Sequence, residues 1–252
     1  MNLEAWQPLA GRTAVVTGGS TGIGSAIVRL FATAGAHGAV LDVAPAGNPP
    51  AGWLVLEADV RDATSLEKAF GAAAERLGPI DVLVAAAGVV PRWSSVDSLD
   101  LAEWDEVLAV NARGVAATLL HALPVLREGA SIVVIASLNA WKGDPHLIAY
   151  TASKHAVLGI VRSAAPDLGR RGIRVNAIAP GPVATEAMVA RMRRREAEHG
   201  LPVDEALAAA AAQTALGRIA TVEDVAGAAL FLAGELSSGI SGQLLAVDGG
   251  IG

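Results

Sequence analysis

The sequence predicts an α/β fold, a doubly wound sheet of seven parallel strands with helices on both faces, and three observations carry that expectation. Short apolar runs alternate with stretches of helical periodicity along all 252 residues. A glycine cluster separates the first apolar run from the first helical stretch. No tandem repeat, low-complexity tail or Pro/Gly/Ser linker divides the chain, so one domain over residues 1–252 is expected.

The elements follow in order. Thr13 to Thr17 (Thr-Ala-Val-Val-Thr) is a buried-strand pattern, and Ile23, Ile27, Leu30 and Phe31 behind it keep helical spacing. Strands at Ala39 to Leu41 and Trp53 to Leu56, a helix from about Ser65 to Leu77 and a strand at Asp81 to Ala86 continue the alternation. A long helix is predicted from about Leu101 to Leu126, its last turn disturbed by Pro124, which lacks the N–H a helix uses. Ser131 to Ala136 is the fifth strand. Helix Tyr150 to Leu168, strand Arg174 to Ala177, helix Val222 to Leu232 and strand Gln243 to Val247 complete the count, with Thr221 and Asp224 set for a capping box. After strand six, Ala184 to Leu216 is helical in composition but mixes charges and alanines without an apolar stripe, which predicts a helical flap over about 184–216. Its alanine run, Ala208 to Ala212, also suits a plain surface helix.

With 52% hydrophobic and 17% charged residues the chain is too apolar for disorder. A net charge of −6 argues against nucleic acid or an anionic membrane, both of which need clustered positive potential, and favours a small-molecule ligand. The absence of cysteine excludes disulfides, thiolate metal sites and cysteine nucleophiles. Histidines at 37, 121, 146, 155 and 199 stand singly, without ligand spacing, so no metal site is expected. Met1 to Arg12 lacks the charged-then-apolar layout of a secretory signal, and no apolar run reaches the roughly 20 residues that span a bilayer. The default expectation is cytoplasmic.

Chemistry enters at the turn Thr17-Gly18-Gly19-Ser20-Thr21-Gly22-Ile23-Gly24, with its spacing Gly-x-x-x-Gly-x-Gly. Glycines there let the chain turn tightly and bring backbone N–H groups and the positive end of a helix to a pyrophosphate. An ordinary strand-to-helix turn is the alternative. Asp42 ends the second strand, 18 residues after Gly24, where a carboxylate accepts both adenosine ribose hydroxyls and repels a 2′-phosphate. Val43-Ala44-Pro45-Ala46 behind it supply no arginine, so NAD is favoured over NADP, although Asp42 can also serve to cap a turn.

Tyr150-Thr151-Ala152-Ser153-Lys154 sets a phenol and an ammonium one helical turn apart on one face. A phenol of pKa about 10 is a poor base at neutral pH, and a fixed cation beside it favours phenolate. Ser137 follows the strand Ser131 to Ala136, at the carboxyl edge where open α/β sheets bind ligands.

Taken together, these residues resemble the short-chain dehydrogenase/reductase family in its compact single-domain, Rossmann-like branch, over essentially the whole chain. The resemblance implies an NAD-dependent oxidoreductase that interconverts a secondary alcohol and a carbonyl of a small molecule. It gives Ser137 the substrate oxygen, Tyr150 the acid/base role, Lys154 the tuning of the phenol and the nicotinamide ribose, and Asn111, in Val110-Asn111-Ala112-Arg113-Gly114, a water-mediated proton relay or a helix-kink hydrogen bond. The implied cofactor contacts are Gly18, Ser20, Thr21, Gly22, Ile23 and Gly24 in the turn, Asp42 at the ribose, and Asp59 and Val60 at the adenine. Ala87 and Gly88 follow strand four, Tyr150 and Lys154 lie on the helix, and Pro180, Gly181, Val183 and Thr185 stand near the carboxamide. The ending Val247-Asp248-Gly249-Gly250 also matches, and the family implies a homotetramer.

Two departures stand out. Ala85-Ala86-Ala87-Gly88 replaces the Asn-Asn-Ala-Gly of many relatives, and the short link from Asp42 to Trp53 leaves little room for the helix they place there. A non-catalytic NAD-binding regulator of the same fold is one rival reading, opposed by the intact Ser137, Tyr150 and Lys154. A sugar-nucleotide epimerase is another, opposed by the short stretch after strand seven.

Three further groups border the expected site. Arg92-Trp93 and Trp141-Lys142 sit in loops after strands four and five, where tryptophans would suit a ring-bearing substrate or simply pack the loops. His146 lies in the second loop and is a candidate pocket residue. In the flap, Arg191, Arg193, Arg194 and Arg195 read either as a solvated face balanced by Glu196 and Glu198, or as a source of one inward arginine that pairs with an anionic substrate group.

Overall fold

Seven aliphatic runs become seven strands of one parallel sheet in the computed structural model, which describes residues 7–45, 49–199 and 201–251. Residues before Gln7, Ala46 of the Asp42 to Trp53 link, and the side chains of Glu198 and His199 lie outside the described residues. The strands are β1 (Thr13–Thr17), β2 (His37–Asp42), β3 (Trp53–Glu57), β4 (Ile80–Ala85), β5 (Leu126–Ile135), β6 (Arg174–Pro180) and β7 (Leu244–Val247), in the spatial order β3-β2-β1-β4-β5-β6-β7.

Every residue of β1 and β4 is buried, as a strand covered on both faces requires, and alternate residues feed opposite layers. Val15, Leu83, Ile132 and Val134 face one core with Leu66, Phe70, Leu119, Val157 and Val161. Val16, Val82, Val84 and Val133 face the other with Ile27, Phe31, Val225 and Leu232. The first core lies under helices α2 (Ala63–Leu77), α4 (Gly114–Ala122) and α5 (Ile148–Leu168), the second under α1 (Gly22–Thr33) and α8 (Val222–Ala233). Strand order reverses between β1 and β4, so their carboxyl ends open a crevice where loops from both halves meet.

Three boundaries differ from the expectation for physical reasons. The long helix is not continuous: α3 (Leu101–Leu108) passes through a π-helical turn, Ala109–Arg113, before α4, and the helix stops at Ala122. Leu126, expected as its last residue, instead opens β5 and pairs with Ile80, after a turn closed by the Val125 N–H on the Ala122 carbonyl at 3.0 Å. The register then shifts between Ile80 and Val82, and Gly129 takes φ +76, which frees Arg127 to Gly129 to face solvent before the buried run begins. The third is the flap, which resolves into two helices, α6 (Glu186–His199) and α7 (Val203–Ala212). Thr185 starts α6 by accepting the Met188 N–H at its Oγ1, 3.2 Å away.

The capping box is present: Thr221 and Asp224 exchange bonds of 3.1 and 2.9 Å at the head of α8. Arg218 also bonds Asp224, and with the Thr221 N–H holds its carboxyl at about 2. Among the described residues no helix is long and apolar enough to cross a membrane.

Candidate active site

Glycine is required at two points of the turn after β1. Gly18 has φ +66, and a Cβ there would lie 2.6 Å from the Ala87 Cα; one on Gly24 would lie 2.1 Å from the Gly18 carbonyl oxygen. The turn thus packs against Ala87 of the loop after β4, and the two halves of the crevice close on each other.

Gly22, with φ +52, opens α1, and the nearest atom to a Cβ there would be the Thr185 methyl at 3.6 Å. Thr185 from the start of the flap therefore faces the same space as the glycine turn. The first turn of α1 carries no acidic residue and its N-cap, Thr21, makes no side-chain capping bond, so the N–H groups of Gly22, Ile23 and Gly24 present an uncompensated positive end.

Asp42 holds this turn from the side. Its carboxylate accepts the Ser20 N–H at 3.1 Å and the Ala44 N–H at 3.2 Å, one bond on each oxygen, which leaves lone pairs for two further donors. Asp59 behaves differently: Arg61 occupies both its oxygens, at 2.7 to 3.0 Å, and holds its carboxyl below the usual range. Val60 is buried where a Cβ on Gly114 would come within 2.7 Å of it. Pro180 and Gly181 end β6, with Gly181 pressed against Asp248, and Val183 is buried beside Ala220.

These residues fit a dinucleotide. Backbone donors at a helix start suit a pyrophosphate, and a carboxylate with spare lone pairs at the end of β2 suits a ribose diol.

Across the crevice, four side chains converge at the start of α5. Ser137 follows β5 buried, its Oγ accepting the Asn139 N–H at 3.2 Å, and its hydroxyl acts to lower the pKa of the Tyr150 phenol. Lys154, only 5% exposed, donates from Nζ to the Ile135 carbonyl at 3.0 Å and lies 5.6 Å from the Tyr150 ring centroid. Burial pulls its ammonium down to about 8. For Tyr150 burial dominates and raises the phenol above its ordinary value, while the Ser137 hydroxyl and the charge of Arg191 act to lower it and Asp144 to raise it.

Asn111 sits in the π-helical turn with no exposed surface. Its Oδ1 accepts the Val89 N–H and its Nδ2 donates to the Val89 carbonyl, both at 2.8 Å, and also to the Ser153 Oγ at 3.1 Å. Ser153 donates in turn to the Tyr150 carbonyl at 2.7 Å. The kink in the long helix therefore ties the loop after β4 to the first turn of α5. Sequence reasoning quoted Ser153 without assigning it a part; its place between Tyr150 and Lys154, facing the first core, was the available signal.

Around this centre, Ser94 donates to the His146 carbonyl at 2.9 Å and so joins the loops after β4 and β5. His146 takes φ +72 to allow it and its ring is exposed, while Trp141 is 40% exposed. Trp93 is half-buried and carries Arg195 over its ring at 3.8 Å and Arg191 at 5.6 Å. The flap arginines separate: Arg193, Arg194 and Arg195 are exposed, and Arg191 is half-buried.

Comparison with known proteins agrees with this arrangement. Residues 18–252 match a family model described as enoyl-(acyl carrier protein) reductase. The chain is 39% identical over 254 residues to short-chain dehydrogenase reductase 3a of Arabidopsis thaliana, covering 96% of this chain and 95% of that protein. It is 38% identical over 254 residues to cis-4-hydroxycyclohexanecarboxylate dehydrogenase of Sinomonas cyclohexanicum, covering 97% and 98%. Among solved structures it is similar to ligand-free aldohexose dehydrogenase of Thermoplasma acidophilum, with a TM-score of 0.90 and 29% identity over 98% of this chain and 96% of that one.

Proposed function

The chain belongs to the short-chain dehydrogenase/reductase family, and from that membership we propose that it is an NAD(H)-dependent oxidoreductase interconverting a ring-bearing secondary alcohol and its ketone. The family makes it an oxidoreductase that works with a nicotinamide cofactor on a small molecule. The observation that carries the finer reading is the cluster of Ser137, Tyr150 and Lys154 at the carboxyl edge of the sheet, with a buried ammonium 5.6 Å from the phenol ring and a buried Ser137 hydroxyl that favours the phenolate.

The choice of NAD rests on Asp42, whose carboxylate suits two ribose hydroxyls and opposes a 2′-phosphate. The glycine turn from Gly18 to Gly24, with Ser20, Thr21 and Thr185, would hold the pyrophosphate. Pro180, Gly181 and Val183 would line the carboxamide, Ala87 and Gly88 the ribose beside it, and Val60 the adenine. Asp59, engaged by Arg61, would serve by holding that loop. When bound, the nicotinamide supplies the hydride acceptor or donor.

Tyr150 moves the proton. In oxidation its phenolate oxygen takes the carbinol O–H proton as the C–H hydrogen leaves with its electron pair, and in reduction the phenol returns it. Burial raises the phenol's pKa, so the reaction depends on groups that favour phenolate: the Ser137 hydroxyl and the Arg191 charge act in that direction, and the Lys154 ammonium stands 5.6 Å from the ring. A Ser137 hydroxyl that acts on the phenol is suited to hold a substrate oxygen against it. Asn111 holds Ser153, and through it the Tyr150 main chain, so it contributes by keeping the proton donor in register.

A ring-bearing substrate is supported by Trp93 and Trp141 in the loops that border the phenol, and by relatives named for a hydroxycyclohexanecarboxylate and an aldohexose. The family and the long helices also support a homotetramer. The test is a panel of ring alcohols and ketones followed by NADH absorbance. Reduction of NAD by a secondary alcohol supports the reading. Absence of turnover in either direction across the panel, from protein that binds NADH, would sink it in favour of a non-catalytic NAD-binding protein.

A further inference from the structure

Arg191 is the one flap arginine that turns inward, and it does so without a counter-ion among the described residues. Its Nε is buried with no hydrogen-bond partner among the described residues. The charges that act on it are the Tyr150 phenol, Asp144 and the neighbouring Arg194, so it lies within electrostatic reach of the reacting tyrosine. Asp144 is not paired with it: that carboxylate is exposed, forms no ion pair among the described residues, and takes the Asn139 amide at 3.5 Å.

A half-buried guanidinium without a hydrogen-bonded counter-ion among the described residues is stabilised when an anion arrives. Trp93 lies against both Arg191 and Arg195, at 5.6 and 3.8 Å from its ring, so the stacked ring favours one direction for the Arg191 guanidinium. In a side-on guanidinium–carboxylate pair the two donors are Nε and one Nη, and Nε is the atom left unpartnered here.

We propose that Arg191, oriented by Trp93, is an anion subsite beside Tyr150, so that the favoured substrate is a ring alcohol or ketone bearing a carboxylate. A single inward cation matches one negative charge, whereas a phosphate dianion would call for a second, and Arg193, Arg194 and Arg195 are exposed. The pairing also serves the proton transfer. A substrate carboxylate near the phenol would oppose its ionisation, and Arg191, whose charge already acts to lower the Tyr150 pKa, offsets that.

This inference rests on the dehydrogenase reading, and binding separates the two. Cyclohexanecarboxylate, cyclohexanecarboxamide and inorganic phosphate are titrated calorimetrically into the NADH-bound enzyme, for wild type, Arg191→Ala, Arg191→Lys and Arg193→Ala. The wild type is expected to bind the carboxylate about 10-fold or more tighter than the amide, and more tightly than phosphate. Arg191→Ala should bring carboxylate and amide within about threefold, Arg191→Lys should keep part of the preference, and Arg193→Ala should keep all of it. Equal affinity for carboxylate and amide in the wild type, a preference that survives Arg191→Ala, or tighter binding of phosphate overturns the proposal. In parallel, 4-hydroxycyclohexanecarboxylate and its amide are assayed for NAD reduction: failure of both with the carboxylate preference intact overturns the dehydrogenase reading and leaves the anion subsite standing.

Discussion

Asp42 offers a quantitative test of cofactor choice that needs no substrate. A carboxylate and a doubly charged 2′-phosphate about 5 Å apart, at an effective dielectric of about 40 to 80 for a half-buried group, repel by about 2 to 3 kcal/mol, or roughly 30- to 150-fold in affinity. NAD in addition gains about 1 kcal/mol or more from ribose hydroxyls on the carboxylate. Removing the side chain also strands the Ser20 and Ala44 N–H groups, but the Ala44 bond is exposed and the Ser20 bond only partly buried, so water replaces much of that loss. Asp42→Asn isolates the charge, because it keeps the shape and one acceptor. Dissociation constants for NADH and NADPH from tryptophan fluorescence should differ by at least about 30-fold in the wild type and by no more than about threefold in Asp42→Asn. A wild type that binds both equally, or a ratio unmoved by the substitution, would refute the role given to Asp42.

Two further outcomes follow from packing and burial. Gly18→Ala places a methyl 2.6 Å from the Ala87 Cα at φ +66, so left-handed strain of about 1 to 2 kcal/mol and a backbone clash should together lower urea stability by about 3 kcal/mol and weaken NADH binding; a loss under about 0.5 kcal/mol would contradict the close approach. Lys154 sits at about 8 in the fold against an ordinary 10.5, so between those values the unfolded chain binds more protons and stability rises with pH, the buried charge destabilising most below 8. Lys154→Met should therefore stabilise the cofactor-free protein at pH 7 by about 2 kcal/mol, from about 3 of relieved burial less about 1 for the lost bond to the Ile135 carbonyl, and the gain should vanish above pH 10.5. A gain independent of pH, measured by urea unfolding, would show that burial of the charge is not its source.

What the sequence made legible was local. The glycine turn, the strand runs and the Tyr150 to Lys154 face of α5 are readable because each is dictated by neighbours a few residues away, through a positive φ, a two-sided burial or a helical repeat. The break in the long helix was not legible, since the apolar period continues through Ala109–Arg113 and the cause, Asn111 reaching across to Val89, lies 22 residues away in sequence. The early start of β5 at Leu126 is of the same kind, set by pairing with Ile80 rather than by local pattern. His146 at φ +72 answers to Ser94 in another loop. For the flap, Arg191, Arg193, Arg194 and Arg195 fall within one helical stretch, and only the tertiary burial of Arg191 separates the inward arginine from its solvated neighbours.

The central claim is that Tyr150 transfers the proton while hydride passes between substrate and NAD. Single-turnover NADH formation by Tyr150→Phe, with the best alcohol of the panel at saturation, tests it most directly, because the ring and its packing are kept and only the hydroxyl is removed. The rate should fall by about 100-fold or more while the NADH dissociation constant stays within about twofold of wild type. Hydride transfer at a near-wild-type rate would contradict the account.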